Sequence, residues 1–546
     1  MKDTQRTILA LLLAFLLAFS IAGPFMLSSG QFFLPDHVAP SGMSMETLER
    51  MTRNIGPSFA PSLLFALIAE VFGVALAEKL FLLLILLLPI LSGWLYLRRK
   101  VGDTLALSGG TLLLLNPFMY ERFMAGQWFV VLGVGFLPLF LLSLERLLAR
   151  RDRRSALLFT LAFSVFPLFS LHLAYIGTAF GVLYALLYVA LHRDARPSVP
   201  EVGKAIAAAL MGFVFLNSFW LFGFFGEGRT FSAIDERDLQ SFVTKGDPTI
   251  GLIPNVALGY GFWRDEGVIL PKDVLNFWYL PGALLLALAF LGAYLGARRR
   301  ETLAVAALFA APLALVLAAG YGSEWTANFA HFAFSYVPGF AGLRDTAKLV
   351  GLIAFLTAML APEGAAALIR IGTPNGRWHR ALAAGGLIVL AASTSFTFFW
   401  GAMGQIKMHE YPPSWMEADV ALLGAEGREK VLVFPWRGYL SLDFADGAYT
   451  ANPANAYFSV PLEVSRSTGN VMLDEKYQTP YDPILSRILD VPAERPLQIE
   501  ALRAQGITHV LLLKTADWER YLPFLSDETF FEALWDGSDA AIYRLR

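Results

Sequence analysis

Repeated apolar runs of about 20 residues are the feature that most constrains how this chain can fold. Residues 8–27, 129–148 and 277–297 are three such runs, each long enough to cross the hydrocarbon core of a bilayer. The chain has 546 residues, of which 56% are hydrophobic and 16% are charged, and its mean hydropathy is +0.53. Because a soluble domain carries about 25% charged residues, the pattern predicts an α-helical polytopic membrane protein.

About eleven transmembrane helices are expected. They are residues 8–27, 81–97, 105–118, 129–148, 156–170, 175–191, 205–225, 277–297, 303–319, 349–367 and 381–400. The apolar stretch 62–77 is shorter and contains Glu70, so we interpret it as a helix at the outer interface. If it crossed the membrane, every later segment would change sides.

The positions of the basic residues orient these spans. Short Arg/Lys clusters at 98–100, 150–154, 193–204, 298–300 and 370–380 all fall on one side when the N-terminus is inside. The positive-inside rule makes that side cytoplasmic. We therefore predict a multi-pass protein of the plasma membrane with a cytoplasmic N-terminus and an extracytoplasmic C-terminal domain.

Two domains follow from the change in composition near residue 404. Residues 1–403 form the predicted transmembrane domain, with outer loops at 28–80, 226–275 and 321–348. Residues 404–546 read as an extracytoplasmic α/β domain, with buried strands at 430–434 and 509–513 and a hairpin around Asp536-Gly537-Ser538. This domain contains neither GxGxxG nor a P-loop, so nucleotide binding is not indicated.

The chain has no Cys and only 7 His. Disulfides and thiol catalysis are therefore excluded, and a dedicated zinc site is not expected because no two His have metal-ligand spacing on a helix.

Asp36 and His37 lie a few residues after the first span, at the predicted outer interface. A carboxylate at this position could act as the general base on an acceptor hydroxyl or bind a divalent metal. The alternative is a loop Asp that caps a turn beside a solvated His. No second acid forms a DxD or ExD motif here.

A charged corner interrupts the apolar sequence after Asn116-Pro117. Tyr120, Glu121 and Arg122 lie in this corner, and the apolar pattern resumes at Trp128. Glu121 could hold a metal or a sugar hydroxyl, and Arg122 a phosphate oxygen. The alternative is a local Glu–Arg pair whose heads reach the interface.

A second charged corner precedes the tenth predicted span. Arg344 and Lys348 lie about one helical turn apart and could bind a lipid phosphate. The alternative is that Asp345 caps the helix while the two cations contact lipid headgroups. Further back, the loop 226–275 places Tyr260 and Trp263 among carboxylates, which suits a carbohydrate or a solvated loop.

These features resemble the GT-C class of membrane glycosyltransferases. The corner NPFMYERFMAGQ is similar to the NPF-x-Y-x-R-x-x-x-GQ pattern of arabinofuranosyltransferase-like and wall-polymer-decorating prokaryotic members. PGFAGLRDTAK is similar to their second corner, and VLVFPW, NPANAYF, ITHVLLLKTADW and AIYRL are similar to their outer domain. The resemblance covers most of the chain.

The resemblance implies transfer of a sugar from a polyprenyl-phosphate donor to an envelope glycan, lipid or glycoprotein on the outer face. It implies Asp36 as the base, supported by Glu121, and Arg122, Arg344 and Lys348 as the cations that meet the donor phosphate. We predict that His37, Tyr120 and Asp345 also bind substrate. The cofactor is either none or a divalent cation, Mg²⁺ or Mn²⁺. The expected partners are the lipid-linked donor, the glycan acceptor and membrane lipid, without nucleic acid. A flippase or transporter for a lipid-linked saccharide and a non-catalytic scaffold of envelope assembly are the alternatives.

Overall fold

The computed structural model describes residues 3–38, 40, 55–192, 199–226, 234–265, 267–372, 377–425, 430–468, 470–476, 478–515 and 517–546. Parts of two predicted basic clusters, residues 193–198 and 373–376, lie outside these ranges. The chain divides into two compact units. The first comprises Met1–Met26, Asn54–Leu63 and Leu80–Gln405, and the second Leu27–Arg53, Leu64–Lys79 and Ile406–Arg546.

Long apolar helices make up most of the first unit. Eight helical segments in the described ranges are long and apolar enough to cross a membrane. They are Thr7–Leu27, Val74–Val101, Trp128–Arg150, Leu171–Leu191, Glu201–Phe222, Tyr279–Arg298, Thr302–Gly322 and Thr346–Arg370. The pair Trp378–Thr394 and Phe396–Met403, bent by 72°, makes a ninth if it is one span. The chain is a membrane protein with several spans, as its composition predicted.

Two of the eleven predicted spans are shorter helices. The predicted third span is Asp103–Leu114, of 12 residues, and the predicted fifth is Arg153–Phe169, of 17 residues. The stretch expected at the outer interface is the 14-residue helix Phe59–Phe72, which Gly73 separates from Val74–Val101. Its short length agrees with the prediction, while its position relative to a bilayer stays a prediction.

The remaining helices are short. In the first unit they are Pro117–Met124, Glu236–Ser241, Leu252–Ala257, Pro271–Val274 and Glu324–Tyr336. In the second unit they are Pro413–Gly424, Ala454–Tyr457, Val471–Lys476, Asp482–Asp490, Arg495–Ala504 and Leu522–Leu525.

The second unit is built on a five-stranded mixed sheet. Its strand order is Leu462–Glu463, Val431–Phe434, His509–Leu513, Ala540–Leu545 and Phe531–Asp536, with the first three parallel and the last two antiparallel. Alternate residues of Val431–Phe434 pack into separate cores on the two faces of the sheet, which explains why the whole strand is apolar. The two predicted buried strands and the C-terminal hairpin are confirmed.

Most of the described part of the first loop belongs to this second unit. Strand Gln31–Leu34 pairs antiparallel with His37–Val38 on one side and with Met408–His409 on the other. A separate two-stranded ladder pairs Tyr439–Leu442 with Ala448–Ala451. The sequence assigned residues 28–80 to the transmembrane domain, whereas backbone pairing with Met408–His409 groups most of the described loop with the C-terminal residues.

Helix Val350–Gly372 is the most buried candidate span of the first unit. It packs against Tyr279–Arg298 through glycines on both helices. A Cβ atom on Gly364 would lie 2.0 Å from the Leu288 carbonyl oxygen, and one on Gly292 would lie 2.2 Å from that of Leu360. Small residues let helix backbones approach this closely in membrane proteins.

This contact predicts that Gly364→Ala lowers stability, because the added methyl group must push the two backbones apart. We expect a loss of about 1–3 kcal/mol, measured as a lower midpoint of thermal unfolding in detergent. The matched control is Gly386→Ala, since a Cβ at Gly386 has no neighbour within 4 Å. Equal midpoints for the two variants would show that the helices do not depend on this close approach.

Candidate functional site

The sequence Asn116-Pro117 builds the first corner by ending one helix and beginning the next. The Asn116 side-chain oxygen accepts a hydrogen bond from the Met119 amide at 3.1 Å, and its nitrogen donates to the carbonyls of Leu112 and Leu113 at 3.1 and 2.9 Å. Pro117 takes the first helical position, where its missing N–H costs nothing. Asn116 therefore caps both helix ends and fixes the direction of Pro117–Met124.

Arg122 on this short helix forms a buried ion pair with Asp345 of the second corner. Its Nη1 lies 2.6 Å from Asp345 Oδ2 and its Nη2 lies 3.3 Å from Oδ1, so the contact is bidentate. Nη1 also donates to Gln127 Oε1 at 2.7 Å, and Arg122 has no solvent exposure. The two corners singled out from the sequence are thus joined by a charge-assisted contact.

Lys348 and the rings of Phe118 and Phe262 complete this cluster. Lys348 Nζ lies 3.6 Å from Asp345 Oδ2, and the Arg122 guanidinium lies 4.1 Å from the centre of the Phe262 ring. Burial raises the pKa of Asp345, but the charges of Arg122 and Lys348 outweigh it and hold that pKa at about 2. Asp345 is therefore ionised at neutral pH and shared by two cations.

Two of the alternative contacts, a local Glu121–Arg122 pair and a helix cap by Asp345, are not formed in the structure, whereas contacts of Arg344 and Lys348 with lipid headgroups stay a prediction. Arg122 is buried and paired with Asp345, so it is not the local partner of Glu121 at the interface. Asp345 makes no capping hydrogen bond to the helical turn that follows it, because both of its oxygens face Arg122.

Glu121 is buried but lies in a different environment from Arg122. Burial raises the pKa of its carboxyl to about 8, although the charges of Lys272 and Arg122 act in the opposite direction. Its Oε1 has no hydrogen-bond partner in the described structure. The carboxyl group accepts a hydrogen bond from the backbone amide of Phe262. Glu121 is therefore mostly protonated at neutral pH and better suited to donating a hydrogen bond than to holding a metal.

Tyr120 forms hydrogen bonds with Ile269 in the loop 226–275 and with Gln405 at the end of the first unit. Its hydroxyl donates to the Ile269 carbonyl at 2.9 Å and accepts from Gln405 Nε2 at 2.9 Å. Gln405 Oε1 in turn accepts from the Ile269 amide at 2.6 Å. Both hydrogen-bonding roles of this hydroxyl are filled. The aromatic side chains of Tyr260 and Phe262 in the same loop are buried.

Arg344 is the most accessible of the predicted phosphate-binding cations. Its side chain is 41% exposed, compared with 11% for Lys348 and 0% for Arg122. Its Nη1 lies 3.4 Å from Asp238 Oδ1, and Asp238 is fully buried. Arg344 can therefore present its guanidinium to a ligand while Asp238 restrains it from one side.

Asp36 and His37 lie in a tight hairpin of the second unit. Leu34 pairs with His37, which leaves Pro35 and Asp36 as the two turn residues. Asp36 is exposed, and its Oδ1 accepts a hydrogen bond from the Tyr439 hydroxyl at 3.0 Å. The turn therefore presents the predicted base to solvent.

Glu78 holds this hairpin and was missed by sequence reasoning, which considered Glu70 instead. Glu78 is fully buried. Its Oε1 lies 2.8 Å from His37 Nε2, and its Oε2 accepts from the Phe32 amide at 3.2 Å. Glu70 is exposed. The available signal was an acid three residues before the apolar run that begins at Phe81.

The structure brings together Arg122, Asp345 and Lys348, and it places Asp36 beside His37. The hairpin and the corners belong to different compact units, so the predicted grouping of Asp36 with the corners stays a prediction. No three His, Asp or Glu side chains converge at metal-binding distances in the described residues.

Part of the chain matches a known protein family. Residues 57–263 match a family model described as a 6-pyruvoyl-tetrahydropterin synthase related domain of a membrane protein. That match covers less than half of the chain, and no curated protein matches its sequence significantly. The structure is similar over 100% of this chain to the cryo-EM structure of the arabinofuranosyltransferase AftD from Mycobacteria, with a TM-score of 0.63 and 16% identity.

The fold is of the GT-C type. A point variant of the same mycobacterial protein matches with a TM-score of 0.58 and 15% identity, again over 100% of this chain. The matches cover 40% and 42% of those longer chains. The predicted fold class, a helical polytopic protein with a C-terminal α/β region, is confirmed.

The buried ion pair predicts that Asp345→Asn greatly lowers the free energy of unfolding. Removing the carboxylate leaves Arg122 and Lys348 buried without their shared anion, and breaking such a pair costs about 3–5 kcal/mol. Thermal unfolding of the purified protein measures this loss. The control is Glu201→Gln, which breaks the partly exposed pair with Arg151 and should cost less than about 1 kcal/mol. Similar losses of unfolding free energy in both variants would contradict the assignment of Asp345 as the shared buried anion of Arg122 and Lys348.

The raised pKa of Glu121 predicts how the stability of the protein changes with pH. The folded pKa of about 8 lies above the ordinary value of 4.5, so the folded state binds more protons than the unfolded state between these values. Stability should therefore fall as the pH rises from about 5 to about 8. In Glu121→Gln this decline should be smaller, measured as the unfolding midpoint against pH. An unchanged pH profile would show that Glu121 is ionised in the folded state.

Proposed function

We propose that this protein is a membrane glycosyltransferase that moves a sugar from a polyprenyl-phosphate donor to a cell-envelope glycan, lipid or glycoprotein on the outer face of the plasma membrane. The observation that carries the proposal is the exposed carboxylate of Asp36. It stands in a braced hairpin directly after the first span-length helix of a chain with a GT-C fold.

The surroundings of Asp36 suit a general base. The His37–Glu78 contact fixes the residue next to it, and the Tyr439 hydroxyl orients one carboxylate oxygen. An acceptor hydroxyl placed against Asp36 would attack the anomeric carbon of the donor. The bond from that carbon to the phosphate oxygen would break, the polyprenyl phosphate would leave with the bonding electrons, and Asp36 would take the hydroxyl proton.

An aromatic pair beside Asp36 supports a sugar acceptor. The rings of Tyr439 and Tyr449 stack with their centres 5.6 Å apart at an angle of 16°, and Tyr449 is exposed. An exposed ring offers an apolar face to the C–H groups of a sugar, while Asp36 and the Tyr439 hydroxyl offer polar contacts to its hydroxyls.

The charged corners support binding of the donor. Two cations share the single carboxylate of Asp345, so the Arg122–Asp345–Lys348 cluster carries excess positive charge. Arg344 adds a partly exposed guanidinium from the same corner. A phosphate is the anion that such an arrangement favours. Because the similar mycobacterial structure is described as an arabinofuranosyltransferase, polyprenyl-phosphate arabinose is the first donor to test.

A divalent cation remains a prediction and enters no step. The structure offers no set of three converging ligands among the described residues, and the raised pKa of Glu121 disfavours the ionised form that would bind a metal.

Asp36→Asn tests the proposal. The amide keeps the size of the side chain but does not take up a proton, so we expect transfer to fall at least about 100-fold. The measurement is product formation in membranes supplied with radiolabelled polyprenyl-phosphate arabinose and, in parallel, other polyprenyl-phosphate sugars.

Asp446→Asn is the matched control, because Asp446 is an exposed acid of the same unit paired with Lys407. It should retain full transfer, and both variants should unfold at the wild-type temperature. Full turnover by Asp36→Asn would remove Asp36 as the base. If the wild-type protein forms no product from any lipid-linked sugar, the transferase proposal is overturned.

A further inference from the structure

Three cations surround a cavity at one end of the helices of the first unit. The cavity has a volume of about 320 Å³, and Lys100, Arg370 and Arg380 line it together with apolar side chains such as Ile369. Lys100 and Arg370 belong to the last turns of their helices, whereas Arg380 lies in the first turn of Arg377–Thr394. Three separate helices therefore direct positive charge to one place.

These charges are only partly compensated by the described residues. None of the described residues that line this cavity is Asp or Glu, although Lys100 and Arg370 also line a neighbouring cavity that contains Glu145, Glu301 and Glu363. Lys100 Nζ lies 3.8 Å from Glu363, whereas Arg370 donates from Nε to the Ala366 carbonyl at 3.3 Å. Neither Arg370 nor Arg380 forms an ion pair with any described residue. Cations held close together repel one another, so an anion among them would be favourable.

A groove with mainly apolar walls continues directly from this cavity. It has a volume of about 610 Å³ and shares Gly102 and Arg380 with the cation-lined cavity. Its walls come from four helices and include Leu9, Leu13, Leu107 and Ile388, together with the ion pair of Arg98 and Asp103, whose charged atoms lie 3.4 Å apart. A charged cavity that opens into an apolar groove has the two parts needed to hold a lipid, a site for its phosphate and a site for its chain.

This lipid-shaped site lies far from the charged corners. Lys348 lies two residues before helix Val350–Gly372, and Arg370 lies in its last turn. A helix of 23 residues is about 34 Å long, roughly the thickness of a bilayer core. The site therefore belongs to the opposite end of the helices from the Arg122–Asp345–Lys348 cluster, the end where the Arg/Lys clusters predict the cytoplasmic leaflet.

We propose that this site binds one anionic glycerophospholipid, with its phosphate among Lys100, Arg370 and Arg380 and one acyl chain in the groove. Glycerophospholipids are the source we favour because the cations lie at the headgroup level of the leaflet that basic residues meet. The phosphate of the bound lipid would offset part of the charge of the three cations, and its acyl chain would fill the groove between the first helix and Arg377–Thr394. The proposal does not depend on the transferase reaction.

The phosphate part of the site is tested with purified full-length protein in nanodiscs. The probes are dioleoylphosphatidylglycerol, dioleoylphosphatidylcholine and decaprenyl phosphate, and native mass spectrometry measures how much of each binds. Wild type should retain phosphatidylglycerol preferentially. Arg370→Gln/Arg380→Gln should bind it about 30-fold more weakly, because each cation contributes roughly a fivefold gain.

Arg153→Gln/Arg154→Gln is the control for net charge. It removes the same charge from exposed arginines of another predicted cytoplasmic cluster that do not line the site, and it should bind as wild type does. Equal losses in the two double variants would mean a general charge effect and would overturn the proposal.

The groove is tested by two neighbouring glycines. Gly385 lines the groove and Gly386 does not, and a Cβ at either has no neighbour within 4 Å. Gly385→Phe should therefore reduce phosphatidylglycerol binding without unfolding the protein, whereas Gly386→Phe should not. Unchanged binding by Gly385→Phe, equal retention of phosphatidylcholine by wild type, or tighter binding of decaprenyl phosphate than of phosphatidylglycerol would each overturn the proposal as stated.

Discussion

The ion pair between Arg122 and Asp345 is the contact on which the charged end of the first unit depends. Burying separate charges costs far more than an ordinary contact returns, and only close geometry with further hydrogen bonds offsets that cost. The bidentate contact, the Gln127 hydrogen bond and the Phe262 ring supply this geometry. Because the two partners belong to the short corner helix and to the residues before the most buried helix, the pair fixes both in place.

In the proposed enzyme, phosphate binding and proton transfer are assigned to different residues. Arg122 is enclosed, so we propose that it positions Asp345 and contributes charge, whereas the accessible guanidinium of Arg344 contacts the phosphate. Proton transfer is assigned to Asp36 in the second unit, where the surroundings are exposed and aromatic. Glu121 is mostly protonated, and its part in catalysis remains a proposal limited to hydrogen bonding.

The sequence predicted those features that depend on local pattern. Hydropathy located the long helices, Asn116-Pro117 marked the corner, and the apolar runs at 431–434 and 509–513 marked the central strands. Partners could not be predicted, because Arg122 and Asp345 are 223 residues apart and one sequence carries no information on which distant charges meet. Glu78 was missed for the same reason, since only the folded hairpin brings His37 to it. The short helices Asp103–Leu114 and Arg153–Phe169 show that apolar length alone sets the number of spans only approximately.

The coupling energy between Arg122 and Asp345 tests the central claim most directly. It is obtained from the unfolding free energies of wild type, Arg122→Met, Asp345→Leu and the double variant. If the two side chains form one buried pair, the double variant should lose less unfolding free energy than the two single variants lose together. We expect the difference to be about 1–3 kcal/mol. Additive losses, with a coupling energy near zero, would contradict the claim that this pair holds the two corners together.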